Sequence, residues 1–72
     1  MLIRTQDRKR IVNFNNLISI SCLEMAVYAE IDNGTGFFKL GEYKDNERAM
    51  EVLAKMWDGV WESAKLFQMP KE

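Results

Sequence analysis

The chain has 72 residues and a net charge of −1, with 10 Lys and Arg residues, 11 Asp and Glu residues, no His and one Cys. This length corresponds to one domain, and a single Cys without His excludes an internal disulfide and a Cys/His zinc site, so we expect no metal. The near-neutral charge argues against nucleic-acid binding, and no uncharged run approaches the ~20 apolar residues of a membrane-spanning helix. No basic region followed by an apolar segment opens the chain, so a cytoplasmic location is expected.

The first predicted element is a β-hairpin with a charged tip. Two apolar, β-branched stretches, at about residues 1–6 and 10–14, are predicted to be the strands of this hairpin, with the segment QDRKR at its tip. Residues 1–15 hold four cations and one carboxylate, a balance of +3, so the rest of the chain carries −4. The basic tip is either a solvated turn or a surface that faces an anion, and the sequence slightly favours the solvated turn.

Three further strands are predicted at about residues 17–22, 25–32 and 36–41. Without a break, residues 17–32 would form a strand of ~50 Å at ~3.3 Å per residue, too long for so small a domain. We therefore place a tight turn or a bulge near Leu23-Glu24. Asn33-Gly34 predicts a hairpin turn before the last strand, and Gly41 is expected to permit the exit from the sheet.

One amphipathic helix is predicted over about residues 45–66, with Asp45 as its N-cap, followed by a tail at residues 67–72 that contains Pro70. The stripe of apolar residues expected to face the sheet is Ala49, Val52, Leu53, Met56, Val60 and Ala64. This order of elements predicts an α+β fold in a single domain over residues 1–72: a small antiparallel sheet of four to five strands, followed by one long amphipathic helix packed on it.

A second apolar stripe lies beside the first on this helix: Met50, Ala54, Trp57 and Trp61. The two stripes together span about 200°, beyond the ~100° apolar arc of an ordinary surface helix. Either the sheet curls around the helix or the second stripe meets another subunit, and an aromatic ligand shelf is a further alternative. We favour contact between the second stripe and another subunit. We therefore predict a homo-oligomer, a dimer or larger, with this stripe at its interface.

Four short motifs occur in order along the chain: IRTQD at 3–7, LGEY at 40–43, ERAMEVL at 47–53 and FQMP at 67–70. With them the chain resembles a family of short, mostly uncharacterised proteins encoded by phages and prophages of Gram-positive bacteria. Thr5 stands where Ser is common in that pattern, and Lys44 stands where a capping Ser is common. The resemblance implies a small antiparallel sheet, one helix and a short tail, and it transfers no established chemistry to individual residues.

The sequence offers few residues of the types that enzymes use for catalysis. No His is present to act as a general acid or base, and no Gly-rich phosphate loop occurs. Cys22 lies in an apolar strand, where a buried thiol is expected to be inert. We therefore expect a protein that is not an enzyme and uses no cofactor.

An anionic, nucleotide-like ligand is the binding partner that the residues suggest. Arg presents a planar fork that matches phosphate oxygens, and an aromatic ring would stack on a base. The predicted ligand-binding residues are Arg4, Arg8, Lys9, Arg10 and Tyr43. The alternative for Arg4 is a cross-strand ion pair, with Glu30 or Glu42 as its partner.

These features lead to one main hypothesis and two alternatives. The main hypothesis is a phage-type binding protein that counters host defence by sequestering a nucleotide-derived immune signal at a subunit interface. The first alternative is a protein-interaction module or inhibitor that docks through the Trp-bearing helix face. The second, a nucleic-acid binder that uses the basic hairpin, is weakest because of the net charge.

Overall fold

The computed structural model of the chain describes residues 1–31 and 36–72. Their elements, in chain order, are β1 (Leu2–Arg4), β2 (Ile11–Asn13), a 3₁₀ turn (Phe14–Asn16), β3 (Ser19–Leu23), β4 (Ala26–Ile31), β5 (Gly36–Glu42), α1 (Asn46–Trp61) and β6 (Leu66–Gln68). The predicted Asn33-Gly34 turn lies outside the described residues.

The strands form two three-stranded sheets, with the orders β2-β1-β6 and β3-β4-β5. In the first sheet Ile3 lies opposite Val12 in antiparallel β2 and opposite Phe67 in parallel β6. The second sheet is antiparallel throughout. The α+β class is therefore confirmed, but the strands are divided between two small sheets and are not collected in one sheet of four to five.

The division between the sheets follows from the segment that links β2 to β3. The Asn13 side chain accepts a hydrogen bond from the Asn15 amide at 3.0 Å and starts the 3₁₀ turn. Phe14 N donates to the carbonyl of Met1 at 2.9 Å, which holds the turn against the start of β1. Asn favours such local side-chain bonds over a continuing strand, so the chain leaves the first sheet here.

The break predicted near Leu23-Glu24 is a two-residue hairpin turn. Leu23 pairs with Ala26, and the intervening Glu24 and Met25 both have positive φ, at 48° and 71°. Positive φ at both positions defines a type I′ turn, whose twist suits a hairpin. Neither residue is Gly, Asn or Asp, which explains why the turn is hard to recognise from sequence.

The helix begins as predicted and ends earlier than predicted. The Asp45 carboxylate accepts a hydrogen bond from Arg48 N at 2.7 Å and caps α1. Ala64 N donates to the carbonyl of Gly59 at 2.8 Å, and Ser63 N donates to that of Val60 at 3.1 Å, with Ser63 at φ 60°. These bonds form a Schellman motif that closes the helix at Trp61 instead of near residue 66.

The C-terminal segment is also different from the tail predicted at residues 67–72. Leu66–Gln68 form β6, the third strand of the first sheet, and Met69 N extends the contact by donating to the Arg4 carbonyl at 2.9 Å. Met69 is fully buried, so the segment contributes to the core. Pro70 follows the strand, where a missing backbone N–H is tolerated.

One hydrophobic core joins the two sheets to α1. Its members come from β1, β4, β5, the loop between β5 and α1, α1 itself and the segment after β6: Ile3, Val27, Ala29, Leu40, Tyr43, Ala49, Val52, Met56 and Met69. The helix buries Ala49, Val52 and Met56 of the stripe predicted to face the sheet. Val60, from the same stripe, remains 37% exposed near the end of the helix.

Candidate interaction surface

The second stripe of α1 remains open to solvent in the protomer. Trp57 is 68% exposed, Trp61 is 80% exposed and Met50 is 51% exposed, and Ala54 between them is exposed as well. The stripe is exposed because the core side of α1 is set by Ala49, Val52 and Met56, about 140° away around the helix at ~100° per residue. The sheets therefore do not curl around the helix, and both indole rings face solvent in the protomer.

An apolar groove of about 340 Å³ adjoins the stripe. Leu53, Trp57 and Val60 form its helix wall. Phe14, Leu17 and Ile18 line it from the segment that leads into β3, and Ser19 and Ile20 line it from β3 itself. We call the groove and the second stripe together the tryptophan surface. Large exposed apolar patches of this kind mark sites of interaction in soluble proteins.

Arg4, Arg8 and Tyr43 converge on the C-terminal segment. Arg4 Nη1 donates to Gln68 Oε1 at 3.2 Å, Arg8 Nη1 to the Met69 carbonyl at 2.8 Å, and Tyr43 Oη to the Pro70 carbonyl at 2.9 Å. Burial raises the pKa of Tyr43, with Arg48 and Arg8 opposing this effect. Arg4 thus contacts β6 itself, and Arg8 and Tyr43 hold the segment after it in place.

The alternative ion pair predicted for Arg4 is not formed. Glu42 instead pairs with Lys39 at 2.6 Å, and Glu30 accepts a hydrogen bond from the Ser19 hydroxyl at 2.9 Å. The two ion pairs within residues 1–31 and 36–72 are Lys39–Glu42 and Arg48–Glu51. Arg4 therefore contacts β6 through a hydrogen bond to the side-chain amide of Gln68.

Lys9 and Arg10 lie apart from this cluster, beside a shallow cleft of about 350 Å³. The Arg10 guanidinium lies 4.8 Å from the centre of the Phe38 ring, and Lys39 also lines the cleft. The structure therefore divides the five residues predicted to bind an anion. Lys9 and Arg10 have their charged groups near this cleft, and the other three contact the C-terminal segment.

The hairpin tip is organised by Thr5 and Asp7. Thr5 is buried, and its hydroxyl donates to Asp7 Oδ1 at 2.7 Å and accepts from Arg10 N at 3.2 Å. Asp7 Oδ1 also accepts from Lys9 N at 2.9 Å. This backbone hydrogen bond, followed by the bond from Thr5, lowers the pKa of Asp7 below its ordinary value.

Gln6 is a connecting residue that the sequence reasoning missed. Its Nε2 donates to the carbonyls of Glu42 at 2.8 Å and Lys71 at 2.9 Å, while its Oε1 accepts from Glu42 N at 2.8 Å. IRTQD, LGEY and FQMP, the motifs quoted for the family resemblance, thus meet in space around the end of β5 and the C-terminal segment. The sequence shows the order of these motifs along the chain, but their order does not indicate that they lie close together in the fold.

A polar cleft of about 710 Å³ lies at the start of α1. Among its charged side chains, Arg48 donates to Glu51 Oε1 at 3.2 Å, and Arg48 also donates to the Glu72 backbone carbonyl at 2.8 Å. No buried polar side-chain atom lacks a partner in the described residues. We favour the smaller tryptophan surface because Trp57 and Trp61 expose large apolar side chains to solvent, whereas exposed charged side chains are readily hydrated.

Groups for metal binding or thiol chemistry are sparse in the described part of the chain. No cluster of three or more Cys, Asp or Glu side chains there is arranged to hold a metal ion. Cys22 is half-buried, with Sγ 3.3 Å from Asn46 Oδ1. None of the described helices has the length and apolar character needed to cross a bilayer.

The chain matches no protein-family model, and no curated protein or solved structure is significantly similar to it.

Proposed function

We propose that this chain is a small, non-enzymatic binding protein that associates with other protein surfaces through the tryptophan surface. The observation that carries the proposal is the exposure of Trp57 and Trp61 beside an open apolar groove. Trp is enriched among the residues that dominate binding energy in protein interfaces, because it offers a large rigid apolar area. The phage resemblance adds a setting in which such a protein would act on host or phage proteins.

The polarity of the groove supports a protein partner over a small molecule. Small-molecule sites combine apolar walls with a few convergent polar groups that fix orientation. In the groove, the hydroxyl of Ser19 already donates to Glu30. A broad apolar partner surface matches this lining better than a polar ligand does.

The test compares the double variant Trp57→Ala/Trp61→Ala with a matched control, Phe37→Ala, whose side chain is 62% exposed on β5. Self-association is measured by analytical ultracentrifugation, and partner binding by quantitative affinity capture from infected host cells. We expect the wild type and the Phe37 variant to associate alike, and the Trp variant to lose association. Equal association of the Trp variant and the wild type in both measurements would contradict the proposal.

Sequestration of a nucleotide-derived immune signal is the second candidate function. It is favoured by Lys9 and Arg10, which line the cleft beside Phe38; Asp7 also lines this cleft, and Lys39 there is paired with Glu42. A panel of cyclic oligonucleotides should then raise the melting temperature, since binding at a hundredfold excess over Kd adds ~2.7 kcal/mol to stability. Lys9→Ala/Arg10→Ala should abolish the shift, and heating should release the nucleotide unchanged. No shift with any member of the panel would count against this function.

A further inference from the structure

The edge of β3 is exposed and lacks the features that usually prevent strand pairing. Natural sheets protect their edges with short strands, charged residues, Pro or bulges. β2 and β6, the edges of the first sheet, have three residues each. β5 carries Lys39 and Glu42, and its pairing with β4 contains a register shift. β3 has five residues, SISCL, with neither charge nor Pro, and it pairs with β4 in unbroken register.

The tryptophan surface lies on the same side of the molecule as this edge. Ser19 and Ile20 of β3 line one wall of the groove, and Leu53 and Trp57 of α1 line the other. Ile18 and Leu23, at the two ends of the edge, are 53% and 62% exposed. A strand added beside β3 would therefore run along the open side of the groove and cover both features together.

We infer that the occupant is a second copy of this chain, whose β3 pairs antiparallel with β3 across a two-fold axis near Ser21. This inference rests on the proposed function, because it assigns a partner to the same surface. The two β3-β4-β5 sheets would become one six-stranded sheet. An isologous contact of this kind requires a self-complementary strand.

The composition of β3 meets that requirement. Polar and apolar residues alternate over residues 19–22, so antiparallel pairing centred on Ser21 sets Ile20 against Cys22 of the other copy on the core side. Ser21 lies opposite its own counterpart on the solvent side. The strand has no charged side chain, so the two-fold axis brings no like charges together.

The helices fit this arrangement as well. α1 packs on β3 and β4, and strands are ~4.8 Å apart, so the two α1 axes would lie ~10–15 Å from each other on the same face of the joined sheet. The residues of α1 on the side of β3 are uncharged, with Leu53 and Trp57 among them. Indole rings are large enough to close that gap, so each Trp57 would help to cover the groove of the other copy.

Opposite charges placed at Ser21 test this inference, because Ser21 is exposed and its replacement leaves the core untouched. We expect Ser21→Lys and Ser21→Glu to be monomeric when alone and to form a heterodimer when mixed. Phe37→Lys, a matched control on β5, should dimerise like the wild type. Unchanged circular dichroism of each variant would show that the fold is retained.

Two outcomes would overturn the inference. The first is a wild type that remains monomeric at millimolar concentration, and the second is a Ser21→Lys variant that dimerises as the wild type does. Either result leaves the proposed function open to its own test, since Trp57→Ala/Trp61→Ala can still abolish association with a different protein. Loss of self-association in the Trp variant together with wild-type behaviour of both Ser21 variants would place the interface on the helix alone.

Discussion

The side-chain amide of Gln6 pairs with the backbone of Glu42 in the manner of a neighbouring strand. Gln6 Nε2 donates to the Glu42 carbonyl and Gln6 Oε1 accepts from the Glu42 amide, both at 2.8 Å. A third bond, from Nε2 to the Lys71 carbonyl at 2.9 Å, includes the C-terminal segment. One side chain thus joins the loop after β1 to the end of β5 and to the residues after β6.

We expect Gln6→Ala to lower the free energy of unfolding by about 1–3 kcal/mol, because each net hydrogen bond contributes ~0.5–1.5 kcal/mol and part of the loss is recovered by water. Urea denaturation measures the change. Gln6→Glu is the control, since it retains an acceptor for the Glu42 amide and loses the donor. A Glu variant as stable as the wild type would show that the donated bonds contribute nothing.

Glycine is required at position 41 because the ring of Tyr43 leaves no room for a side chain there. The role expected from sequence, an exit from the sheet, is therefore corrected. Gly41 lies within β5, and a Cβ atom there would stand 2.7 Å from Tyr43 Oη and 3.1 Å from Cζ. Tyr43 cannot yield freely because it is buried and bonded to Pro70. We expect Gly41→Ala to cost about 1–3 kcal/mol of unfolding free energy. The cost should shrink in a Tyr43→Leu background, and an equal cost there would contradict this explanation.

Ser63 occupies the left-handed position of the Schellman motif that ends α1. The left-handed conformation costs a residue with a Cβ atom ~1 kcal/mol of free energy, whereas glycine adopts it without that cost. Ser63→Gly should therefore raise the melting temperature, with a gain of about 1 kcal/mol in unfolding free energy. Ser63→Ala keeps the Cβ atom and should show no such gain, so equal stabilisation by both variants would refute a conformational cause.

The β3–β4 turn stores similar strain at Glu24 and Met25. Asn-Gly is the pair best suited to a type I′ turn, so the double variant Glu24→Asn/Met25→Gly should be more stable by about 1–2 kcal/mol. Thermal denaturation measures the gain. Reversing the pair, as Glu24→Gly/Met25→Asn, provides a control of the same composition. A destabilised Asn-Gly variant would mean that the side chain of Met25 contributes more than the strain costs.

Acid should destabilise the fold through Asp7 and Glu42. Hydrogen bonds to Asp7, and the hydrogen bond and charge of Lys39 beside Glu42, lower the pKa of each carboxyl from its ordinary value of 3.8 or 4.5. A carboxyl with a lowered pKa in the folded state stabilises it above the ordinary value, and this stabilisation is lost as pH falls through the folded pKa. Unfolding free energy should thus decline from about pH 5 to pH 2.

Asp7→Asn should be less stable than the wild type at neutral pH and should decline less steeply over that range. Asp58→Asn, on the exposed side of α1, is the control and should follow the wild-type slope. Parallel slopes for the wild type and Asp7→Asn, measured by urea denaturation at successive pH values, would remove Asp7 from the acid response.

Several elements of the fold could be predicted because their causes are local. Asp45 caps the helix through a bond to an amide three residues later, and the length limit on a strand in a small domain required the break at Leu23-Glu24. The early end of α1 was missed because Ser63, and not Gly, adopts the left-handed conformation. Only the second stripe, Met50, Ala54, Trp57 and Trp61, was predicted to lie beside the sheet contact, and all four residues are exposed.

The sequence by itself determined the α+β class, the helix start and the presence of a second apolar stripe, because hydrophobic periodicity and capping act over a few residues. Only the tertiary structure decided that Leu66–Gln68 pair with β1. It also decided that Arg4 bonds Gln68 within β6, and that Arg8 and Tyr43 bond the segment after it. Arg4 and Gln68 are 64 residues apart in the chain. Such a pairing depends on which backbone and side-chain groups the rest of the fold leaves without partners, and no local pattern contains that information.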